Sequence, residues 1–242
     1  MKALEKEGVK QVFGLPGGAN LPMYDELYKS NIRHILVRHE QSAAHMADGF
    51  GRVSRKPGVC FATSGPGSTN LLTGIATAQA DSAPMIAVTG QVPVNMIGRD
   101  AFQESDIIGM SNPCVKYAFQ PRTPEEIPEM VKKGFYIAET GRPGPVLLDI
   151  PKDVQQNESE ITFPEEVRIP GYHPWSSIDI TDIERAIDLL LSSEKPIILA
   201  GGGTIISSAF AELQSVAEML MIPVVTTFKG KGSFPENHPL SL

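Results

Sequence analysis

Short apolar runs alternate with longer amphipathic runs along almost the whole chain. This alternation predicts an α/β fold, in which parallel β-sheets are covered by helices on both faces. Glycine and proline cluster just after the apolar runs, where the loops that lead from strand to helix should lie. The predicted strands are Gln11–Phe13, His34–Val37, Val59–Thr63, Met85–Thr89, Val146–Asp149, Ile197–Ala200 and Pro223–Thr226, and the predicted helices are Leu21–Lys29, Glu40–Ser54, Ser68–Ala80, Pro124–Thr140, Ile180–Ser192 and Ser207–Leu220.

The character of the sequence changes after Asp149. The residues that follow have little periodicity and are rich in Glu, Pro and Gln, which is typical of an interdomain linker. A second strand–helix series reaches Leu242 after only two strands, whereas a doubly wound sheet usually has about five or six. We therefore expect a chain that is cut short inside its second domain, and clipped at its start because Met1 falls within the predicted helix Lys2–Glu7. The predicted parts are a first domain over 1–150, a linker over 151–176 and an incomplete Rossmann-like domain over 177–242.

Charge and composition argue against several classes of partner. The chain carries a formal net charge of −7 without any run of like charges, which disfavours nucleic acid and anionic membrane. No apolar stretch is long enough to span a bilayer, and residues 1–20 lack a signal-peptide pattern. Cys60 and Cys114 form no CxxC pair, so we expect reduced cysteines in apolar surroundings rather than a disulfide or a structural zinc site. The expected location is the cytoplasm.

Four unusual segments follow predicted strands, at the edge of the sheet where open α/β folds bind ligands. In order, they are Gly14–Gly18, Arg38–Gln41, Thr63–Asn70, and Gly90–Pro93 with Ala101–Glu104. Glycines in the first segment let a ligand approach the backbone, although a tight turn explains them equally well. Glu40 in the second segment begins a helix, where the helix dipole favours a carboxylate, so a structural role also fits. The fourth segment combines an aromatic side chain with an amide, which suits either a pocket for a small polar substrate or ordinary loop packing.

Two common motifs do not fit these segments. His39-Glu40 followed by His45 is not the HExxH zinc motif, because that motif needs histidines four residues apart and these are six apart. Thr63–Asn70 lies between a strand and a helix, as phosphate loops do. It lacks the GxGxxG spacing and the Walker Gly-Lys-Ser/Thr ending, so the motif alone gives little support for a phosphate role.

In combination, the segments resemble the acetolactate synthase (acetohydroxyacid synthase) family of thiamine-diphosphate enzymes. The Ser-Gly-Pro-Gly segment and the helix that begins at Glu40 recur across thiamine-diphosphate enzymes, whereas Gly-Gln-Val-Pro together with Ala-Phe-Gln-Glu is much narrower. The resemblance implies a pyrimidine-binding domain followed by the start of a central, FAD-contacting domain. The matching stretches are VFGLPGGANLPMYD (12–25), RHEQSAAHMADGFGR (38–52), TSGPGSTNLLTGIATA (63–78), GQVP (90–93), DAFQESDIIG (100–109), GRPGPVLLDIPKDV (141–154) and KGKGSFPENHPLSL (229–242).

The resemblance implies a reaction in branched-chain amino acid biosynthesis, in which two pyruvates condense to acetolactate with release of CO2, or pyruvate condenses with 2-ketobutyrate. Thiamine chemistry begins with loss of the proton on C2 of the thiazolium ring. In this family a glutamate hydrogen-bonds N1′ of the aminopyrimidine and promotes the imino tautomer, whose 4′-nitrogen takes the C2 proton. Glu40 matches that glutamate, so its implied role is a charge-assisted hydrogen bond to the cofactor.

The same matching implies the other residues of the site. His45 stays open between a site residue and a packed polar residue of its helix, and Gly201–Gly203 would also suit a simple helix-capping loop. The implied residues are Gly17, Gly18, Glu40, Pro66, Asn70 and Gln103 for thiamine diphosphate, Ala19, Pro93, Ala101, Phe102, Gln103 and Lys152 for substrate, and Arg142, Gly201, Gly202 and Gly203 for FAD.

The Gly-Asp-Gly motif, which holds Mg²⁺ and the diphosphate in thiamine-diphosphate enzymes, does not occur in the sequence. The resemblance implies that the Mg²⁺ ligands belong to a later domain, so no metal ligand is expected in this chain. Each active site would form between the pyrimidine domain of one subunit and the diphosphate domain of another, in a homodimer or tetramer to which a regulatory small subunit can bind. The chain is therefore expected to be inactive by itself.

Two rival interpretations stay open. A related thiamine-diphosphate-dependent pyruvate oxidase or decarboxylase would share Glu40 and Ser-Gly-Pro-Gly, but not Gly-Gln-Val-Pro with Ala-Phe-Gln-Glu. A non-catalytic FAD- or nucleotide-binding module, or a dimerisation scaffold, would explain why the diphosphate motif is missing. The reaction product distinguishes the first rival, and binding of FAD without any restored activity would favour the second.

Overall fold

The computed structural model describes residues 1–174 and 177–242. The chain divides into two compact units, Met1–Trp175 and Ser176–Leu242. The last two residues of the predicted linker, 175 and 176, lie outside the described residues.

The first unit is a six-stranded, fully parallel sheet with helices on both faces, which confirms the predicted fold class. The strand order is β2-β1-β3-β4-β6-β5. The strands are β1 (Gln11–Gly14), β2 (Arg33–Leu36), β3 (Gly58–Ala62), β4 (Met85–Gln91), β5 (Tyr117–Phe119) and β6 (Pro145–Pro151); the helices are α1 (Lys2–Lys6), α2 (Leu21–Tyr28), α3 (Glu40–Ser54), α4 (Pro66–Thr69), α5 (Leu72–Asp81), α6 (Ile107–Ser111), α7 (Glu126–Glu139) and α8 (Lys152–Gln156).

The three central strands are buried along their whole length, because helices cover both faces of the sheet. Successive residues of one strand point to opposite faces and so belong to different cores: Ile86 of β4 shares a core with Phe135 of α7 on one face, whereas Ala87 shares a core with Ile75 of α5 on the other. The second core is rich in alanine, which lets its helices lie close to the sheet. Gly58 shows how close, because a Cβ there would lie only 2.0 Å from the carbonyl oxygen of Ala47.

Three features of the first unit differ from the sequence prediction. β5 was missed because it is a three-residue strand at the edge of the sheet, too short to show a period. The single predicted helix Ser68–Ala80 is two helices, α4 and α5, with Asn70 at the break between them. The predicted linker 151–176 does not begin at its first residue: β6 continues through Pro151, and α8 follows with Val154 buried.

The second unit contains one pair of parallel strands, β7 (Ile198–Ala200) and β8 (Val224–Thr226), with a small core of Ala200, Ala217, Val224 and Phe234. Parallel strands joined through helices agree with the predicted start of a Rossmann-like domain. The predicted helix Ser207–Leu220 begins later, at Phe210, because Ser208 has a positive φ of 58° and separates it from a preceding short helix. The helices are α9 (Ile180–Leu191), α10 (Gly202–Ile206) and α11 (Phe210–Leu220).

Within residues 1–174 and 177–242, every helix is too short or too polar to cross a lipid bilayer. Both cysteines are free, Cys60 in the core of the first unit and Cys114 half-buried. Burial raises the pKa of the Cys60 thiol well above its ordinary value.

Candidate active site

The four segments singled out in the sequence meet at the carboxyl ends of β1, β3 and β4. The loop after β1 contacts the residue that follows β3, because the Ala19 backbone amide donates to the Thr63 hydroxyl over 3.0 Å. The start of α3 contacts α4 through Glu40 and Asn70. The loop after β4 lies against α4, since a Cβ at Gly65 would be 2.6 Å from the Gln103 carbonyl oxygen. The fold therefore gathers these residues at the sheet edge where α/β proteins bind ligands.

Glu40 is a buried carboxylate at the N-terminus of α3. Its residue is 8% exposed, and Oε2 accepts a hydrogen bond from Asn70 Nδ2 over 3.0 Å. The other oxygen, Oε1, faces Gly67, where a Cβ would lie 3.3 Å away. The position at a helix N-terminus stabilises the negative charge, with His39 as the N-cap through its Nδ1 atom. The carboxylate is thus held on one side and borders a residue without a side chain on the other.

The Ser-Gly-Pro-Gly segment places Asn70 opposite Glu40. Pro66 occupies the first helical position of α4, which suits its fixed φ, and the backbone amide of Asn70 donates to the Pro66 carbonyl over 3.2 Å. Ser68 is buried and its hydroxyl donates to the Gly65 carbonyl over 2.8 Å. This short, internally bonded helix is what breaks the predicted helix into two and turns the Asn70 side chain towards α3.

The loop after β4 presents Phe102 and Gln103 to solvent. Phe102 is 88% exposed, and Gln103 has a positive φ of 56°. The loop is organised from within by Glu104, whose carboxylate accepts the backbone amides of Gly98 and Ala101. These hydrogen bonds lower the pKa of Glu104 below its ordinary value. The sequence analysis missed this role of Glu104, because the only sequence signal was its place as the last residue of the Ala-Phe-Gln-Glu segment.

The loop after β1 is fixed by residues that the sequence analysis did not single out. Asn20 is fully buried; its Oδ1 accepts the Gly17 backbone amide over 2.7 Å, and its own backbone amide donates to the Gly17 carbonyl over 3.1 Å. Gln155 of α8 donates to the Ala19 carbonyl over 2.9 Å. Gly17 packs against Thr63, whereas a Cβ at Gly18 would meet nothing within 4 Å. Gly18 is therefore the position where the backbone is open to a ligand.

Pro93 and Lys152 follow neighbouring strands, because Gln91 of β4 pairs with Pro151 of β6. The turn after Pro93 is tied to α8, since the Val94 amide donates to the Asp153 carboxylate over 3.1 Å. Lys152, the first residue of α8, is half-buried. Both predicted substrate residues therefore lie at the carboxyl ends of neighbouring strands.

Arg142 lies apart from Glu40, and His45 is a residue that the sequence left open. Arg142 precedes β6, so it lies at the opposite, amino-terminal edge of the sheet, where it donates to the Ser82 hydroxyl over 2.6 Å and to the Ala80 carbonyl over 3.2 Å. His45 lies on α3 and is exposed to solvent. The structure thus does not show His45 as a packed residue of its helix.

Gly201, Gly202 and Gly203 belong to the second unit, where they join β7 to α10. A Cβ at Gly203 would meet nothing within 4 Å, and one at Gly201 would only touch the Thr227 hydroxyl at 3.9 Å. By contrast, a Cβ at Gly230 would lie 2.1 Å from the Ala200 carbonyl oxygen. Gly230 is needed for packing, and a Cβ at Gly202 would lie 3.1 Å from Lys229 Cβ, whereas the backbone is open at Gly201 and Gly203.

Asp149 is a second buried carboxylate, and the sequence analysis gave it no role. It is fully buried in β6 and accepts hydrogen bonds from Thr89 Oγ1 (2.7 Å), Gln91 Nε2 (3.0 Å) and Gln120 Nε2 (2.8 Å). Burial raises the pKa of Asp149 to about 6, against the lowering effect of these three donors. A nearby charge on Asp106 adds to the increase.

Stability should therefore depend on pH through Asp149. Its pKa of about 6 in the folded protein lies above the ordinary 3.8, so the folded state binds this proton more tightly than the unfolded state. The stabilisation is complete below the unfolded pKa and is lost as the pH rises through about 6. We expect the free energy of unfolding of the wild type, minus that of Asp149→Asn, to increase by about 1 kcal/mol from pH 8 to pH 5.

Urea denaturation of both proteins over this pH range measures the difference. Asp149→Asn is the suitable reference because every other titrating group is common to both proteins. A difference that is flat or that falls towards pH 5 would contradict the raised pKa.

In residues 1–174 and 177–242, no three His, Cys, Asp or Glu side chains are grouped so that they could hold a metal ion.

Comparisons with known proteins identify the same two parts of the chain. Residues 1–110 match the N-terminal TPP binding domain of thiamine pyrophosphate enzymes, and residues 183–242 match the central domain of these enzymes. The chain is 58% identical to a probable acetolactate synthase large subunit from Methanocaldococcus jannaschii, over 100% of the chain and 42% of that protein. It is 50% identical to an acetolactate synthase from Arthrospira platensis, over 99% of the chain and 42% of that protein.

A third relative, an acetolactate synthase large subunit from Corynebacterium glutamicum, is 49% identical over 100% of the chain and 39% of its own length. The chain thus spans less than half the length of the curated relatives it matches. The predicted resemblance is confirmed, because both domain matches come from the same family and together cover more than half of the chain. The chain belongs to the thiamine pyrophosphate enzymes, and within them it is similar to acetolactate synthase large subunits.

Proposed function

We propose that this chain forms the pyrimidine-binding part of an acetolactate synthase catalytic subunit. The observation that carries the proposal is the buried Glu40 carboxylate, held by Asn70 at the carboxyl edge of a parallel sheet and bordered by Gly67. The relatives named acetolactate synthase support this choice among thiamine pyrophosphate enzymes. The reaction is the condensation of two pyruvates to acetolactate with release of CO2, or of pyruvate with 2-ketobutyrate, in branched-chain amino acid biosynthesis.

The residues at this edge fit the aminopyrimidine of thiamine diphosphate. Glu40 Oε1 lies beside Gly67, and a side chain there would crowd the carboxylate. Glu40 would hold a proton against the ring nitrogen N1′ by a charge-assisted hydrogen bond, while Asn70 keeps the carboxylate in place. Bound thiamine diphosphate supplies a C2 carbon that can lose its proton and add to a keto group. Gly17, Gly18, Pro66 and Gln103 are the other residues proposed to contact it.

The substrate side of the site is proposed to lie where the loop after β4 meets α8. An exposed aromatic, an amide and an ammonium group together suit a small keto acid, because one end of the substrate is apolar and the other is a carboxylate. Phe102 and Gln103 are exposed, and Lys152 is half-buried at the start of α8, directly after the strand that pairs with β4. Ala19, Pro93 and Ala101 would form the remaining wall.

FAD is proposed to bind at the glycines that join β7 to α10 in the second unit. The open backbone at Gly201 and Gly203 supports this assignment, since a dinucleotide can approach a backbone that carries no side chains. Arg142 of the first unit remains a prediction as a further FAD contact. Mg²⁺ and the diphosphate are proposed to be held by a further domain with the Gly-Asp-Gly motif, which this sequence lacks.

The proposed assembly is a homodimer or tetramer, in which a site is completed by the diphosphate-binding domain of another subunit. A regulatory small subunit is a further proposed partner. On this account the chain by itself does not turn over pyruvate. The proposal of a small subunit is supported by the relatives named large subunits, a name that implies a smaller one.

The reaction product tests the proposal. The complete protein that carries this chain is incubated with pyruvate, thiamine diphosphate, Mg²⁺ and FAD, and the products are identified by NMR. We expect acetolactate. Acetaldehyde or acetyl phosphate would instead indicate a related decarboxylase or oxidase. Binding of FAD without any turnover would favour a non-catalytic module.

A further inference from the structure

Gln91 connects two features of the first unit, the buried Asp149 carboxylate and the loop that carries Gln103. The Gln91 residue is 3% exposed, and its Nε2 donates to Asp149 Oδ2 and to the Ser105 carbonyl, each over 3.0 Å. Its Oε1 accepts the Val92 amide over 2.9 Å. A flipped amide would turn Oε1 towards two acceptors, so these contacts admit one orientation of the side chain. Asp149 thereby sets which way the amide of Gln91 points.

The loop over residues 98–105 needs such an external anchor. Asp100 and Gln103 have positive φ values of 53° and 56°, a conformation that costs non-glycine residues about 1–2 kcal/mol each. Strained backbone of this kind persists only where surrounding contacts hold it. Glu104 ties the loop to itself. In the described part of the chain, the hydrogen bonds that tie the loop to the sheet and to α4 come from Ser105: its carbonyl accepts from Gln91, and its hydroxyl lies 3.1 Å from the Ser68 hydroxyl.

We propose that Gln91 is a positioning residue for the substrate side of the site: through Ser105 it holds the backbone of Gln103 against Gly65. The proposal rests on the proposed function in that Gln103 and Phe102 face the substrate. In the described part of the chain no hydrogen bond joins Gln91 to Glu40, whose carboxylate is held by Asn70. Loss of Gln91 should therefore weaken binding of substrate, and of the cofactor that Gln103 also contacts, while Glu40 and Asn70 stay in place for proton transfer once both are bound.

A matched control is available in Gln120. Its Nε2 donates to the same carboxylate oxygen, Asp149 Oδ2, over 2.8 Å. Gln91→Met and Gln120→Met each replace an amide by an apolar side chain of similar size, and each removes one donor from Asp149. Only Gln91→Met also removes the donor to Ser105. A purely structural role of the buried cluster would make the two variants alike.

The experiment uses the complete protein and two measurements. Hydrogen exchange with mass spectrometry follows residues 98–105, and steady-state kinetics with pyruvate follow KM and kcat. In Gln91→Met we expect the exchange of the loop to rise about tenfold, the size of one lost hydrogen bond. KM should rise about tenfold, with kcat within about threefold of the wild type. In Gln120→Met both quantities should stay near the wild type, although both variants lower the thermal midpoint.

Equal effects of the two variants on the loop, an unchanged loop in Gln91→Met, or a loosened loop with an unchanged KM would each overturn the proposal. If Gln91→Met does not fold, Gln91→Asn gives the same contrast, because it keeps a buried amide that is one methylene too short for both partners. Absence of turnover in the wild type would refute the proposed function alone. The exchange contrast would then still decide whether Gln91 anchors the loop.

Discussion

Replacing Glu40 by glutamine is expected to lower the turnover of the complete protein at least about 100-fold, the usual scale for a group that acts in proton transfer. Glutamine has the same shape, and its carbonyl oxygen can still accept the hydrogen bond from Asn70 that Glu40 Oε2 accepts over 3.0 Å. It cannot hold a proton against a ring nitrogen in the way a carboxylate does. We therefore expect a folded protein with a thermal midpoint close to that of the wild type and with little activity.

Asp48→Asn is the matched control, because it makes the same isosteric change at another buried carboxylate of α3. Asp48 is 6% exposed and pairs with Arg52 Nε over 2.9 Å, so its neutralisation should lower stability. Turnover should remain within about threefold of the wild type, since Asp48 has no proposed role at the cofactor. If Glu40→Gln retained near-normal turnover, Glu40 would have no part in the mechanism.

The second large effect is expected for Gly65→Ala. Gly65 has φ 59° and ψ −122°, a conformation that alanine rarely adopts. A Cβ would also lie 2.6 Å from the Gln103 carbonyl oxygen and 2.9 Å from its Cα, which are backbone atoms and cannot rotate away. Strain and collision together should lower the free energy of unfolding by about 3 kcal/mol or more, as measured by urea denaturation.

Gly98→Ala separates the two contributions. Gly98 also has a positive φ, 79°, but a Cβ there would meet nothing within 4 Å. Only the backbone strain should appear, at about 1–2 kcal/mol. If Gly65→Ala were no more destabilising than Gly98→Ala, the loop over 98–105 would not be seated on Gly65 as described.

The sheet and most helices of the first unit were predictable, because alternating patterns determine which residues can be buried on both faces of a parallel sheet. There are two exceptions. β5 is only three residues long, and at the break between α4 and α5 the side chain of Asn70 contacts Glu40, which lies 30 residues away in sequence. Such a contact leaves no periodic signal.

The candidate site was predictable only in part, and for the same reason. Glycine-rich segments and the helix start at Glu40 can be recognised locally. The cluster around Asp149 cannot, since its partners Thr89 and Gln91 are 60 and 58 residues away. Gln91 stands within the recognised Gly-Gln-Val-Pro segment, yet its role emerges only from its contacts with Ser105 and Asp149.

Exchange of the C2 proton of thiamine diphosphate reports directly on the role proposed for Glu40. The cofactor is bound to the complete protein in deuterium oxide, the reaction is stopped with acid at short times, and the remaining C2 proton is measured by NMR. We expect the wild type to exchange this proton at least about 100-fold faster than Glu40→Gln, with Asp48→Asn close to the wild type. Equal exchange rates in the wild type and Glu40→Gln would contradict the assignment of this site as the place where the aminopyrimidine is activated.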